Sequence, residues 1–165
     1  MIRVASYNIH KAVGTDRKSD PARICRALAA LEADVVTLQE ADKRFGARQS
    51  VLPEAALAEA GYEAVPYHIR PGGLGWHGNA VLVKTGHQVR YARALELPTL
   101  EPRGAVLAEI EIDGHPLRIV GMHLDLSGLW RRRQVRAVIA HIDACIDVRS
   151  EERRVGKECR SRWSP

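Results

Sequence analysis

The stretch D-V-V-T-L-Q-E, Asp34 to Glu40, decides how the rest of the chain is read. Val35, Val36 and Leu38 make a short apolar run that suits a strand buried on both faces. The run stops on a carboxylate, Glu40, with Gln39 beside it. A strand that leaves a core and ends on an acid holds a charge rigidly at the rim of a sheet. Glu40 is therefore read as a metal ligand, and the flanking segments are read for the groups they bring to it.

On the N-terminal side, Ile2 to Ile9 alternates with Ile2 and Val4 on one face and ends in Tyr7-Asn8, which predicts a strand. Ser19-Asp20-Pro21 is a helix start, a capping side chain followed by proline at the first helical position. Ile24, Leu28 and Leu31 mark the buried stripe of a helix running to Ala33. Strand, helix, strand is the parallel crossover unit, so both strands run the same way. Asn8 and Glu40 then lie at one sheet edge, the edge where open α/β sheets bind ligands.

On the C-terminal side, strand direction can be counted. Pro53 to Ala60 is a short helix ended by Gly61, and Tyr62 to Tyr67 a strand toward the ligand edge. The loop from Pro71-Gly72-Gly73 through Trp76 lies at that edge, and Asn79 to Lys84 runs away from it. Thr85-Gly86 turns the chain, Gln88 to Leu95 returns, and the loop with Pro98, Pro102 and Arg103 is again at the edge. Ala105 to Ile112 descends, Asp113-Gly114 makes a tight hairpin, and Leu117 to Gly121 rises into Met122-His123-Leu124-Asp125. The count gathers Asn8, Glu40, Asn79, Arg103, His123 and Asp125 at one rim. A last helix, about Leu129 to Asp147, buries a stripe of Val135, Val138, Ile139, Ile142 and Ile146. Arg131, Arg132 and Arg133 crowd its first turns against the helix dipole, a small cost that a bound anion would relieve, although such a run is more often a solvated basic face.

The totals set bounds. A chain of 165 residues with 45% hydrophobic and 27% charged residues reads as one ordinary globular domain. The net charge of +5 is uneven, because Ser150 to Pro165 holds five Arg/Lys against three Glu, so the body is only mildly basic. That is weak ground for a nucleic-acid partner. Cys25, Cys145 and Cys159 are odd in number and form no C-x-x-C pair, which argues against a disulfide framework or zinc site and for a reducing, cytoplasmic setting. Polar residues Ser6, Asn8 and His10 interrupt any leader-like apolar run, and no stretch is apolar enough to span a membrane.

The rim groups suggest a chemistry. The Glu40 carboxylate and the Asn8 carbonyl are hard oxygen donors beside a histidine, His123, and with no cysteine near the set suits Mg²⁺ or Mn²⁺ better than zinc. One carboxylate plus waters makes a normal magnesium site when the substrate supplies phosphate oxygens. Arg103 can hold a second phosphate oxygen, and His123 can donate to oxygens that gain charge in the transition state. His10, His77 and Asn79 are candidate substrate contacts, while Asp125 is read as holding the loop before the last helix. Trp76 and Trp130 are read as packing residues, and Cys25 and Cys145 as thiols on helix faces.

Five segments together resemble the endonuclease/exonuclease/phosphatase superfamily of DNase I-like metal-dependent hydrolases: S-Y-N-I-H (Ser6 to His10), D-V-V-T-L-Q-E, G-N-A-V-L-V (Gly78 to Val83), E-P-R-G-A (Glu101 to Ala105) and M-H-L-D (Met122 to Asp125). The first, second and last are the most specific. The resemblance implies an α/β fold, a four-layer αββα sandwich, and hydrolysis of phosphodiesters or phosphomonoesters with a divalent metal. It matches Asn8 and Glu40 to the metal site and His123 to an active-site histidine, with Arg103 and Asn79 as weaker matches. It also implies a G-D-x-N strand end and a later S-D-H segment, and neither occurs in this sequence. The expectation is thus residues 1–148 as the first part of such a domain, one mixed sheet with a helical layer, and 149–165 as a foreign-looking basic tail without order, resembling translated adapter sequence. Little or no turnover, and self-association through an uncovered sheet face, follow from that expectation. The substrate could be nucleic acid, a lipid head group or a small phosphate ester. The alternative is a non-catalytic module that binds nucleic acid or another polyanion.

Overall fold

A computed structural model describes residues 1–43, 49–67, 69, 71–99 and 103–161, with side chains through Ala144. The regular elements are β1 (Val4–Asn8), α1 (Pro21–Leu31), β2 (Val35–Gln39), α2 (Glu54–Glu59), β3 (Tyr62–Ala64), β4 (Ala80–Lys84), β5 (Gln88–Glu96), β6 (Gly104–Ile112), β7 (His115–Met122) and α3 (Gly128–Ser161). Glu101 and Pro102 of the E-P-R-G-A segment, and the side chains of Cys145, Ile146 and Cys159, lie outside the described residues.

The crossover that sets the frame forms as its sequence dictates. β1 pairs with β2 in parallel, from Val4 opposite Val35 to Asn8 opposite Gln39. Between them Asp20 caps α1 by accepting the Arg23 N–H at 2.9 Å, with Pro21 in the first turn. α1 ends at Leu31, where Glu32 takes a left-handed conformation at φ 47°. Asp34 fastens the entry to β2: its carboxylate accepts the Arg3 N–H at 2.7 Å and lies 3.3 Å from the His87 ring. The Arg3 N–H, with His87 adding to it, holds the Asp34 carboxyl below its ordinary 3.8.

Two sheets form rather than one. The first is mixed, in the order β1-β2-β4-β3, and the second is the antiparallel run β5-β6-β7. Period-two alternation then sorts side chains into layers. Val36, Leu38, Ala80 and Leu82 face Ile24 and Leu28 of α1 and Leu57 of α2. On the other face of the first sheet, Val35, Val81 and Val83 pack on Val106, Ala108, Ile110 and Ile112 of β6. The opposite face of β6 gives Ala105 and Leu107 to Val138 of α3. Farther along that face Glu109 is 8% exposed and accepts two hydrogen bonds from the Arg118 guanidinium, at 2.6 and 2.9 Å. All four layers, helix, sheet, sheet and helix, are therefore present.

This corrects the single-sheet expectation and removes the basis for self-association, because the second sheet covers the inner face of the first. Alternation gives a strand's direction and its two faces but not its partner, so β5 to β7 could not be assigned to a separate sheet from pattern alone. Smaller differences have local causes. Val4 is 51% exposed, because it lies on the uncovered face of the edge strand β1, while Ala5 and Tyr7 pack on the core. β3 stops at Ala64, three residues before Tyr67. α3 runs to Ser161, past Asp147, the end expected for the last helix, and takes in residues 149–161. No proline interrupts that segment before Pro165, and its Glu, Arg and Lys residues favour helix without an apolar stripe. The hairpin at Asp113-Gly114 is a two-residue turn with both φ values positive, 49° and 76°, which is why glycine is wanted there.

Ile110→Ala should cost about 2–4 kcal/mol in urea unfolding, because Ile110 is 1% exposed between the sheets. Ile139→Ala, at a position 51% exposed, should change stability by less than about 0.5 kcal/mol. Equal losses would contradict the layer assignment. Asp34→Ala should cost about 1 kcal/mol at pH 7. Because the folded-state value of Asp34 is depressed, its contribution is full above 3.8 and is lost as pH falls through the lower folded value. The gap between wild type and variant should therefore close only on the acid side of a pH–stability curve.

Candidate active site at the sheet edge

The parallel pairing of β1 and β2 does not stop with the strands. Beyond Asn8 and Gln39, the Ile9 N–H donates to the Gln39 carbonyl and the Lys11 N–H to the Glu40 carbonyl, both at 3.1 Å. Between these bonds the chain folds into a tight left-handed turn: His10, Lys11 and Ala12 have φ of 47°, 56° and 60°. Ala12 is fully buried and pins the turn to the core. Glu40 is itself left-handed, at φ 58°. Side chains converge where these two backbones meet. The Lys11 ammonium is paired with Glu40 Oε2, and Asn8 Nδ2 donates to Glu40 Oε1 at 3.4 Å. Asn8 Oδ1 accepts the His10 N–H at 3.1 Å, which fixes the amide with its nitrogen toward Glu40. Burial alone would push the Glu40 carboxyl up, but the Lys11 hydrogen bond and charge, with Asn8 assisting, hold it below its ordinary value. Glu40 is therefore ionised at neutral pH.

A second turn closes over Glu40. Trp76 and Asn79 exchange backbone hydrogen bonds at 2.9 and 3.0 Å around His77 and Gly78, whose φ values are 50° and 79°. The Gly78 carbonyl accepts the Ala41 N–H at 2.9 Å, and a Cβ on Gly78 would lie 3.4 Å from the Glu40 Cα. Glycine suits this position by its dihedral, while the contact itself is an ordinary van der Waals distance. Asn79 donates to the Gly104 carbonyl at 2.9 Å and to the Trp76 carbonyl at 3.2 Å, tying this turn to the start of β6. The Trp76 indole lies flat enough on Gly104 that a Cβ there would stand 2.4 Å from Cδ1.

His123 follows the last residue of β7. Burial is the main influence on its imidazole, pushing it below the ordinary 6.5, and the Arg103 charge adds to this. Glu40 pulls the other way, and Lys11 and His10 side with Arg103. All four groups are close enough to act on one ring, so the neutral imidazole is favoured in the free site. Behind it, Asp125 accepts the Ser127 N–H at 3.1 Å, and its own N–H donates to the fully buried Gln134 at 2.9 Å, which anchors the loop into α3.

The structure therefore brings Asn8, Glu40, His10, Arg103 and His123 to one rim. Asn79 is the exception. It is 0% exposed and its Nδ2 donates to two carbonyls, so it braces the rim from beneath. Sequence reading missed Lys11, whose charge falls on Glu40 only because of the left-handed turn. The sequence His-Lys-Ala carries no glycine to announce such a turn. Backbone strain gathers in the same place: of eight non-glycine residues with positive φ among those described, five are His10, Lys11, Ala12, Glu40 and His77.

Two packed sheets between helical layers, with the Glu40 carboxylate beside cationic and imidazole groups at the strand ends, define a DNase I-like α/β domain. The family model for the Endonuclease/Exonuclease/phosphatase family matches residues 5–144, and the chain belongs to that family. Its members are hydrolases of phosphoesters, generally dependent on divalent metal. Among solved structures, the humanized TDP2 of D. rerio is 22% identical with a TM-score of 0.61, over 86% of this chain and 56% of that one. The human Nocturnin catalytic domain with bound sulfate anion is 20% identical with a TM-score of 0.62, over 88% and 60%. The endonuclease/exonuclease/phosphatase from Bacteroides vulgatus is 17% identical with a TM-score of 0.64, over 88% and 61%. The chain thus spans little more than half the length of these structures, which it resembles in fold. No curated protein matches it significantly.

Asn79→Ala should destabilise the protein by about 1–3 kcal/mol, since it removes the side-chain donor to the Gly104 carbonyl and leaves the Trp76 carbonyl to the backbone N–H of residue 79. Urea unfolding measures this. A loss below about 0.3 kcal/mol would show that Asn79 does not brace the rim.

Proposed function

We propose that this chain carries the Glu40 side of a divalent-metal-dependent phosphoesterase site. The observation that carries the reading is the charge arrangement at the strand ends. One ionised carboxylate, Glu40, stands among Lys11, Arg103, His10 and His123. Such a set has one place for a cation and an excess of donors for an anion.

The donors fit magnesium or manganese within limits. Among the described residues no group of three or more His, Cys, Asp or Glu side chains stands close enough to hold an ion. Glu40 would thus be the anionic ligand, with water and substrate oxygens completing the shell. Asn8 would add its oxygen only by turning its amide over, away from the His10 N–H; as it stands, it orients Glu40. A bound cation would supply charge neutralisation at a phosphoryl oxygen. Arg103 would hold a second oxygen, and His123 would donate to the phosphoryl group as charge builds. An anionic phosphate would oppose the Arg103 charge on His123 and favour its protonated, doubly donating form. His10 would contact the substrate beside Asn8. Nucleic acid, a lipid head group and a small phosphate ester all present the required oxygens. The crystal structure of D. rerio TDP2 complexed with single-strand DNA product supports the first for that protein. We place the protein in the cytoplasm, a reading supported by the buried free thiol of Cys25 and by the absence, among the described residues, of a helix long and apolar enough to cross a membrane.

In the free chain we expect weak or undetectable hydrolysis of a generic phosphodiester with Mg²⁺, since groups that act as a unit are not replaced singly. Robust turnover abolished by Glu40→Ala would overturn the expectation of inactivity. Mg²⁺ should raise the melting temperature of the wild type and leave Glu40→Gln unchanged. The second reading, a polyanion-binding module, draws on the exposed Arg131, Arg132, Arg133 and Arg136 at the start of α3. Binding of that kind would weaken steeply with salt and survive Glu40→Gln.

A further inference from the structure

We propose that Lys11 is an exchangeable partner of Glu40: its ammonium neutralises the carboxylate while the site is free, and moves to a phosphate oxygen of the substrate when a divalent cation takes Glu40. The inference rests on the metal reading of Glu40 and adds a residue that carries no signal in the sequence pattern.

Three observations support it. First, Lys11 is bound to residue 40 twice, by its backbone N–H to the Glu40 carbonyl at 3.1 Å and by its ammonium to Glu40 Oε2. Its position is thus tied to Glu40 itself and not to a mobile surface. Second, the placement is costly. Three consecutive non-glycine residues sit in the left-handed region, which L side chains disfavour, and Lys11 occupies the middle position with φ 56° and ψ 33°. An ordinary surface ion pair contributes little to stability and does not offset that cost. A role that needs the ammonium at this rim does account for it. Third, the pair can open. The Lys11 side chain is 39% exposed and the Glu40 side chain 22%. A lysine is a compact point charge with three rotatable donors on a flexible stem, so it can leave one oxygen for another without moving its backbone. With Glu40 taken by a dication, the Lys11 ammonium is released beside the same carboxylate, where a phosphate oxygen on the cation would meet it.

The two cations, Lys11 and the metal, therefore compete for one carboxylate, and this makes the proposal testable without turnover. The full 165-residue chain would be titrated with Mg²⁺ alone, and then with inorganic phosphate at saturating Mg²⁺, by calorimetry and thermal shift. Lys11→Met should bind Mg²⁺ about 3- to 10-fold more tightly than wild type, because the competing ammonium is gone, and should bind phosphate at least 10-fold more weakly. Lys11→Arg should restore most of the phosphate affinity. If wild type binds Mg²⁺ and Glu40→Gln does not, the metal reading stands. Mg²⁺ affinity unchanged or weakened in Lys11→Met then overturns the exchange role alone, and leaves a plain structural ion pair. If wild type binds no Mg²⁺, the metal reading and this inference fall together.

Discussion

The parallel pairing of β1 with β2 is the constraint on which the site depends. Its register sets Asn8 opposite Gln39, and the next backbone bonds carry the pairing past the strand ends to Lys11 and Glu40. A slip of one residue would turn Val36 and Leu38 away from α1 and send Glu40 to the wrong side. The core therefore selects the register, and the register places the carboxylate. Every other rim group is positioned against that fixed point: the His77–Gly78 turn by its bond to Ala41, β6 by Asn79, and His123 by the pairing of Met122 with Ala105.

The sandwich makes that fixed point rigid. β6 is the strand that both layers share, with Val106, Ala108, Ile110 and Ile112 packed inward and Ala105 and Leu107 packed toward α3. At the inner surface near the rim, Gly121 lets β7 approach β2 closely: a Cβ there would lie 3.5 Å from Thr37 and 3.3 Å from Val106. His123, two residues on, inherits its position from that close approach. The family match and the four-layer architecture are thus two views of the same arrangement, strand ends held level so that side chains from distant segments meet.

Much of this was legible because it is local. The capped start of α1, the apolar run of β2 and the Asp113-Gly114 turn each follow from a few neighbouring residues, and strand direction could be counted from one turn to the next. That count was enough to bring Asn8, Glu40, Arg103 and His123 together. The division into two sheets was not legible, because an alternating strand fits either partner. The buried state of Asn79 was hidden for a related reason: its partner, the Gly104 carbonyl, is 25 residues away. Lys11 was hidden by its conformation, since a left-handed turn built from His, Lys and Ala has no sequence signature.

The strained rim carries a further consequence. Lys11, Glu40 and His77 each hold a backbone shape that glycine would adopt more readily. Glycine at Lys11 or Glu40 would remove the strain and also the ion pair between them. Selection for a sturdier protein and selection for a working site thus pull these positions in opposite directions. Stabilising such a domain by engineering is better directed at the opposite end of the sheets, where the Asp113-Gly114 turn already has its preferred residues and no functional group is at stake.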